Sequence, residues 1–169
     1  MNLYDATVPI FTKLLTSADT WFDKAAAVAD AKKFDLDVLA ASRLAPDQYA
    51  LVSQIQSACD QAKFAVAKLA GKEAPSHPDT EKTVAELRQR IQTVVAYMAT
   101  FKREDFVGAE DRPCSHVWMA GKSMRGGDYL DHVALPNFYF HITTAYAILR
   151  HNGVPLGKSD FIADIPFLP

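Results

Sequence analysis

Residues 135–158 read LPNFYFHITTAYAILRHNGVPLGK, and this stretch decides the fold. Its apolar residues recur at steps of three and four and cover much of the circumference, which is typical of a central, buried helix. Pro136 fits a helix start, and Asn152 and Gly153 followed by Pro155 fit a helix end. The sequence therefore predicts a helix from about 135 to 151, whose main apolar stripe is Phe138, Ile142, Ala145, Ile148 and Leu149.

Three further amphipathic helices precede this one. The same periodicity predicts them over about 5–32, 47–70 and 80–101. Asp47 is the expected N-cap of the second helix, and either Asp79 or Thr80 that of the third. On the second helix Asp60 and Lys63 are expected toward solvent, as is Arg90 on the third. Residues 34–46 are interpreted as a connector with one helical turn.

Residues 102–133 break the helical pattern with glycines, a proline and a short β-like run at His116–Met119. Such a stretch is long for a structureless loop, which favours either a functional segment or a small hairpin packed on the bundle. The tail after residue 153 is expected to pack on the bundle through Phe161, Ile162, Ile165, Phe167 and Leu168. The sequence as a whole predicts one all-α domain over residues 1–169: a four-helix bundle with a glycine-rich insertion before the last helix.

Composition excludes several classes of partner. The net charge is −2, with 49% apolar and 22% charged residues, so we expect neither a nucleic-acid nor a membrane partner. The N-terminus lacks the pattern of a signal peptide. The two cysteines, Cys59 and Cys114, are far apart without metal-type spacing. We therefore expect reduced thiols and a cytoplasmic protein.

Polar residues line one edge of the last helix's apolar stripe. Asn137, His141 and Thr144 fall nearly on one line, and the first two are an i, i+4 pair able to share a ligand. Three interpretations of His141 stay open: a buried, satisfied histidine, a ligand-binding residue, or a metal ligand. Gln54 and Gln56 flank the stripe of the second helix, and periodicity does not choose between them.

Histidines of the insertion offer further site residues. His132 immediately precedes the last helix, and His116 lies further back in the insertion. Either side chain, folded back onto His141, would complete a metal site, since zinc sites use three or four ligands.

The quoted stretch of residues 135–158, together with a glutamine-rich second helix ending in Lys-Leu-Ala-Gly at 68–71, resembles an uncharacterised bacterial family of the DinB/YfiT-like superfamily. The resemblance covers nearly the whole chain. It implies an up-down-down-up bundle with a crossover between helices two and three, and often a homodimer.

The resemblance also implies a divalent metal, zinc or nickel, on three histidines, and in some relatives thiol-dependent transferase or isomerase chemistry. His141 falls at the second of two last-helix ligands, and Asn137 stands where the first would be. Gln54, or failing that Gln56, stands at the ligand position of the second helix. One of the three ligands is therefore present in this chain.

Three functions follow as hypotheses. The first is a small polar pocket around Asn137, His141 and Gln54 that binds a small molecule without a complete three-histidine metal site. The second is a non-enzymatic homodimeric interaction module. The third is a metal-dependent, thiol transferase-like enzyme with an altered ligand set.

Overall fold

A computed structural model describes residues 2–165, which form a bundle of four long helices with a small hairpin at one end. The long helices are α1 Val8–Lys32, α2 Leu51–Leu69, α3 Val84–Met98 and α5 Leu135–His151. The short elements are 3-10 turns at Leu36–Ala41, Arg103–Phe106 and Val117–Met119, strands β1 Pro113–Ser115 and β2 Ser123–Arg125, helix α4 Gly126–Tyr129, a π-helical turn at Leu130–Ala134, and helix α6 Lys158–Ile162.

Helices α2 and α3 run parallel, whereas α2 and α5 run antiparallel. Gln56 near the start of α2 bonds to Glu81 just before α3, and the Tyr97 hydroxyl near the end of α3 donates to the carbonyl of Glu73, beyond α2. Residues 70–83 must therefore cross back along the bundle between the two helices. This arrangement confirms the DinB-like fold.

The first and last long helices pack side by side in the same direction. The rings of Phe11 and Phe138 lie 4.4 Å apart, and those of Trp21 and Tyr146 lie 5.6 Å apart in an edge-on arrangement. Phe11, Trp21 and Phe138 are buried, and Tyr146 is partly buried. Burying such aromatic surface stabilises a domain by about 2 kcal/mol or more per side chain.

The predicted N-caps were wrong for both middle helices. Helix α2 begins after Ala50, which makes no side-chain cap, and Asp47 lies in the preceding turn. Helix α3 is capped by Thr83, whose hydroxyl accepts from the Glu86 N–H at 3.2 Å. The Glu86 carboxylate accepts in return from the Thr83 N–H at 2.9 Å, so the pair satisfies two donors of the first turn.

The glycine-rich insertion contains a hairpin, one of the two expected outcomes. Strands β1 and β2 are antiparallel, with Cys114 opposite Met124. The β-like run at 116–119 is not a strand, since Val117–Met119 is a 3-10 turn between the strands. A Cβ on Gly126, directly after β2, would collide with the carbonyl oxygen of Ala109, so only glycine fits there.

The last helical segment begins at Gly126 rather than near Leu135, and a π turn interrupts it. The Leu135 N–H bonds to the Leu130 carbonyl, five residues back. Pro136 has no N–H, and in a regular α-helix its ring would clash with the carbonyl of His132. The wider π turn just before Pro136 removes that clash, as expected for a proline inside a helix.

The tail packs on α1 over part of its length. The ring of Phe161 stacks on Trp21 at 5.9 Å, and the Trp21 indole N–H donates to the Asp160 carbonyl at 3.0 Å. Packing is therefore confirmed for Phe161, but Ile162 and Ile165 are 37% and 51% exposed, so the prediction was wrong for them. Phe167 and Leu168 lie outside the described residues.

Between residues 2 and 165, no helix combines the length and apolar character needed to cross a bilayer.

Replacing Thr83 with Ala is expected to destabilise the protein by about 1 kcal/mol, because the first turn of α3 loses its cap. Urea denaturation followed by circular dichroism measures the change. Thr80→Ala is the matched control, since Thr80 is exposed and its side chain caps nothing. Equal losses in the two variants would contradict the assignment of the cap to Thr83.

Candidate functional site

His141 lies on α5 where this helix faces the start of α2, and it is held there by Gln54. The Nδ1 atom of His141 is 2.8 Å from Oε1 of Gln54. The Gln54 side-chain amide in turn donates to the backbone carbonyl of Tyr49 at 3.2 Å. Gln54 is 1% exposed, so a buried amide connects the two ends of this chain of hydrogen bonds.

The hydrogen bonds of Gln54 determine the tautomer of His141. The carbonyl of Tyr49 only accepts, so it takes the NH₂ end of the Gln54 amide and leaves the oxygen to His141. That oxygen also only accepts, so the proton of the neutral imidazole is on Nδ1. The Nε2 atom of His141 then carries a lone pair, and it has no bonding partner among residues 2–165.

Burial keeps this histidine neutral. Desolvation lowers the pKa of His141 below its ordinary value of 6.5. The ring of Phe140 packs edge-on against the imidazole, with 5.2 Å between ring centres. The site thus combines a neutral imidazole with an aromatic neighbour.

Asn137, one turn before His141, is also fixed by an internal bond. Its side-chain NH₂ donates to the Val133 carbonyl in the π turn at 2.8 Å. The side chain lies on the exposed surface of α5, so its amide oxygen remains available. The NH₂ group of Asn137 therefore bonds within the helix, and its amide oxygen is the acceptor that faces outward.

The other predicted site residues do not all meet here. Thr144 is buried, and its hydroxyl donates to the Phe140 carbonyl at 2.7 Å. His132 is exposed in the π turn. Gln56 lies away from His141, since its amide donates to Glu81 at 2.9 Å. The structure thus joins Gln54 to His141 and leaves Asn137 one turn earlier on α5. Gln56 belongs to a second cluster.

The residues around His141 do not fit the three-histidine metal centre implied by the resemblance. The oxygen of Gln54 points at Nδ1–H of His141, so Gln54 lies behind the histidine rather than beside it as a ligand. An asparagine amide is a poor ligand for zinc or nickel. Within residues 2–165, no group of three or more His, Cys, Asp or Glu side chains is placed to hold a metal ion.

A second polar cluster lies between α2, α3 and the crossover, and the sequence did not reveal it. Lys63 was expected toward solvent but is 0% exposed. Its ammonium lies 2.8 Å from the Asp60 carboxylate and 3.3 Å from Nδ1 of His77. Burial, and then Lys63, lowers the pKa of His77, so this histidine is a neutral acceptor.

Arg90 joins the cluster from α3. It was also expected to face water, yet it is 4% exposed. Its guanidinium donates to Asp60 at 2.7 Å, Glu81 at 3.1 Å and the Pro78 carbonyl at 3.3 Å. Pro78 and Glu81 lie on the crossover, and Asp60 lies on α2. Arg90 therefore ties the crossover and α2 to α3.

Both predictions failed for one physical reason. Periodicity assigns charged residues to the solvent side, but a charge can be buried where carboxylates and carbonyls neutralise it. Lys63 follows Cys59 by four residues, so it lies next to the apolar stripe of α2. That spacing was the one sign in the sequence that Lys63 could be buried. The position of the crossover, which covers Lys63, is also needed to predict its burial.

A cleft of about 310 Å³ opens beside this cluster. It is lined by His77, Pro78, Thr80, Glu81, Glu86, Gln89, Arg90 and Thr93. The Nε of Arg90 is buried without a partner among the described residues. The carboxylates and Arg90 largely satisfy one another here, so the arrangement serves first to hold the crossover.

Neither cysteine is suited to nucleophilic chemistry. Burial raises the pKa of Cys59 to about 12, and it also raises the pKa of Cys114. A nucleophilic cysteine needs a lowered pKa and access to substrate. Both thiols lie in the core.

Comparisons with known proteins agree with this fold. The family model described as "Domain of unknown function (DUF1993)" matches residues 3–162. The crystal structure of a DinB family member protein from Shewanella denitrificans has 49% sequence identity to this chain and a TM-score of 0.95. That match covers 99% of this chain and 95% of the other. No match was found among curated proteins.

Arg90→Met is expected to destabilise the protein by about 2 kcal/mol or more, because it removes a buried cation from the partly buried carboxylates of Asp60 and Glu81 and from the Pro78 carbonyl. Arg88→Met is the control, since Arg88 is on the same helix, pairs with Asp19 and Asp23, and is itself 32% exposed, so that a loss of about 1 kcal/mol is expected. Urea denaturation measures both losses. Amide hydrogen exchange over residues 70–83 should rise only in the Arg90 variant, and unchanged protection there would contradict a crossover held by this cluster.

Proposed function

Because the chain belongs to the family described as domain of unknown function DUF1993, within the DinB-like fold, we propose that it binds a small molecule at a polar site formed by Asn137 and His141. Gln54 supports the site from behind. In this proposal the site works without a three-histidine metal centre.

The observation that carries the proposal is the hydrogen bond from His141 to Gln54. A bond of this kind fixes the orientation of the ring and places its lone pair at a defined position, which is how binding sites are preorganised. Gln54 is buried and bonded at both ends of its amide, so the ring is supported by a rigid element. The Nε2 atom of the same ring has no partner among the described residues, so it is the atom that a ligand would meet.

The metal-dependent alternative has less support. Two further metal ligands would have to come from amides, from His116 in the insertion, or from His132, which is exposed in the π turn. Thiol-dependent transferase chemistry needs a metal to lower the pKa of the thiol substrate. The donor set around His141 gives no ordinary three-ligand site for that role.

A second proposal is a homodimeric interaction module, as the resemblance implies. Val117 and Trp118 at the hairpin tip are 94% and 60% exposed, and large apolar side chains at such exposure are typical of contact surfaces. Cytoplasmic location and the dimer both remain predictions.

Nitrogen-15 NMR of the histidine rings tests the site directly. In the native protein at pH 7.5, His141 is expected as the Nδ1–H tautomer, and Gln54→Leu should convert it to a mixture with substantial Nε2–H. The control is Gln56→Leu, which removes a neighbouring buried glutamine that bonds to Glu81 instead. A native His141 protonated on Nε2 would overturn the proposed geometry.

Metal content tests the metal-free proposal. Untagged protein, purified without chelator and then challenged with zinc and nickel, should show no stoichiometric metal by inductively coupled plasma mass spectrometry. The His141→Ala variant is measured alongside. Stoichiometric metal in the native protein that disappears in the variant would reject the proposal in favour of the metal-dependent alternative.

A further inference from the structure

We propose that the ligand of this site is a small organic cation rich in N–H donors, such as an amine, an amidine or a guanidinium compound, with an apolar portion. This inference rests on the proposed function and names its ligand class. It follows from the direction of the hydrogen bonds that hold the site together.

The N–H donor of each polar side chain of the site bonds to a group inside the protein. Nδ1–H of His141 donates to Gln54 at 2.8 Å, which leaves Nε2 as an acceptor. The NH₂ of Asn137 donates to the Val133 carbonyl at 2.8 Å, which leaves its amide oxygen as an acceptor. A ligand that meets these two residues therefore encounters lone pairs and must itself bring N–H or O–H groups.

Two acceptors one helical turn apart suit a ligand with more than one donor. Residues at i and i+4 have Cβ atoms about 5–6 Å apart on the same face of a helix. An amidinium or guanidinium group has several N–H donors in one plane, so it is able to meet both acceptors together. A carboxylate or phosphate has acceptors only, and would face the lone pairs of Asn137 and His141 without a donor between them.

The site carries no charge of its own. No charged side chain of either sign among the described residues bonds to Gln54, Asn137 or His141. Two buried cations among the described residues, Lys63 and Arg90, are engaged by the carboxylates of the other cluster. An anionic ligand would therefore find neither a countercharge nor a donor at this site, whereas a cationic ligand would be held by the lone pairs and by the adjoining aromatic ring.

An aromatic surface adjoins the acceptors. Phe140 is 56% exposed, and its ring packs edge-on against His141. Aromatic faces attract organic cations by about 0.5–2 kcal/mol and also cover the apolar part of a ligand. The exposed ring of Phe140 next to two acceptors thus matches a cationic head with an apolar body.

Titration with three probes of one shape tests this inference: benzamidine, benzamide and benzoate. They share a benzene ring and differ in head group, which is a cationic donor, a neutral amide and an anionic acceptor. Binding is followed at pH 8 by amide and histidine-ring chemical shifts. We expect benzamidine to bind with a dissociation constant on the order of 1 mM, as suits a fragment, and benzoate to bind at least about tenfold more weakly.

Variants locate the binding. Asn137→Ala and His141→Ala should each weaken benzamidine binding about fivefold or more, which is about 1 kcal/mol. His151→Ala is the control, because His151 is an exposed histidine at the end of the same helix. Benzamidine binding that survives both site variants would overturn the inference.

The remaining outcomes separate the two proposals. Benzoate binding at His141 as tightly as benzamidine would overturn the cationic class and leave a small-molecule site in place. If none of the probes moves the His141 resonances, the result counts against the cationic ligand and also against the site itself, while the tautomer measurement still reports on the geometry.

Discussion

The buried guanidinium of Arg90 is the group on which the arrangement of the bundle depends. Parallel neighbours α2 and α3 require residues 70–83 to travel back along the bundle, and a chain laid over two helices needs partners for its polar groups. Arg90 reaches the Pro78 carbonyl and Glu81 on the crossover side and Asp60 on α2. Helix α2, which Arg90 ties to α3, also carries Gln54, the residue that bonds to His141 on α5.

The site around His141 shows how a bundle sets the polarity of a surface. A π turn precedes Pro136, and the Val133 carbonyl in that turn accepts from the side chain of Asn137. The buried Gln54 oxygen accepts a hydrogen bond from Nδ1–H of His141. In both cases the N–H donor bonds inside the protein, and an acceptor atom of the same side chain faces outward: the amide oxygen of Asn137 and Nε2 of His141. The chemistry offered to a ligand is thus a consequence of how the helices satisfy their own backbone.

The helices were predictable from the sequence because apolar periodicity reports directly on the core. The caps were harder to predict. Good N-cap residues stand at three places within five positions, namely Asp79, Thr80 and Thr83. Thr83 is distinguished by its two reciprocal hydrogen bonds with Glu86. Whether Gln54 or Gln56 contacts His141 depends on how α2 is rotated and shifted against α5. The sequence pattern of one helix does not give that information. The burial of Lys63 depends likewise on where the crossover lies.

The pairing of the first and last helices has a consequence for synthesis on the ribosome. Phe11 and Trp21 complete their contacts only with Phe138 and Tyr146 of α5, so the two halves of the core come from opposite ends of the described chain. At a synthesis rate of about 5–20 residues per second, the emergence of α5 follows that of α1 by roughly 6–25 s. Throughout that interval α1 has only α2 and α3 to pack against, and its aromatic side chains lack their partners on α5. The native core is therefore completed only after α5 has left the ribosome.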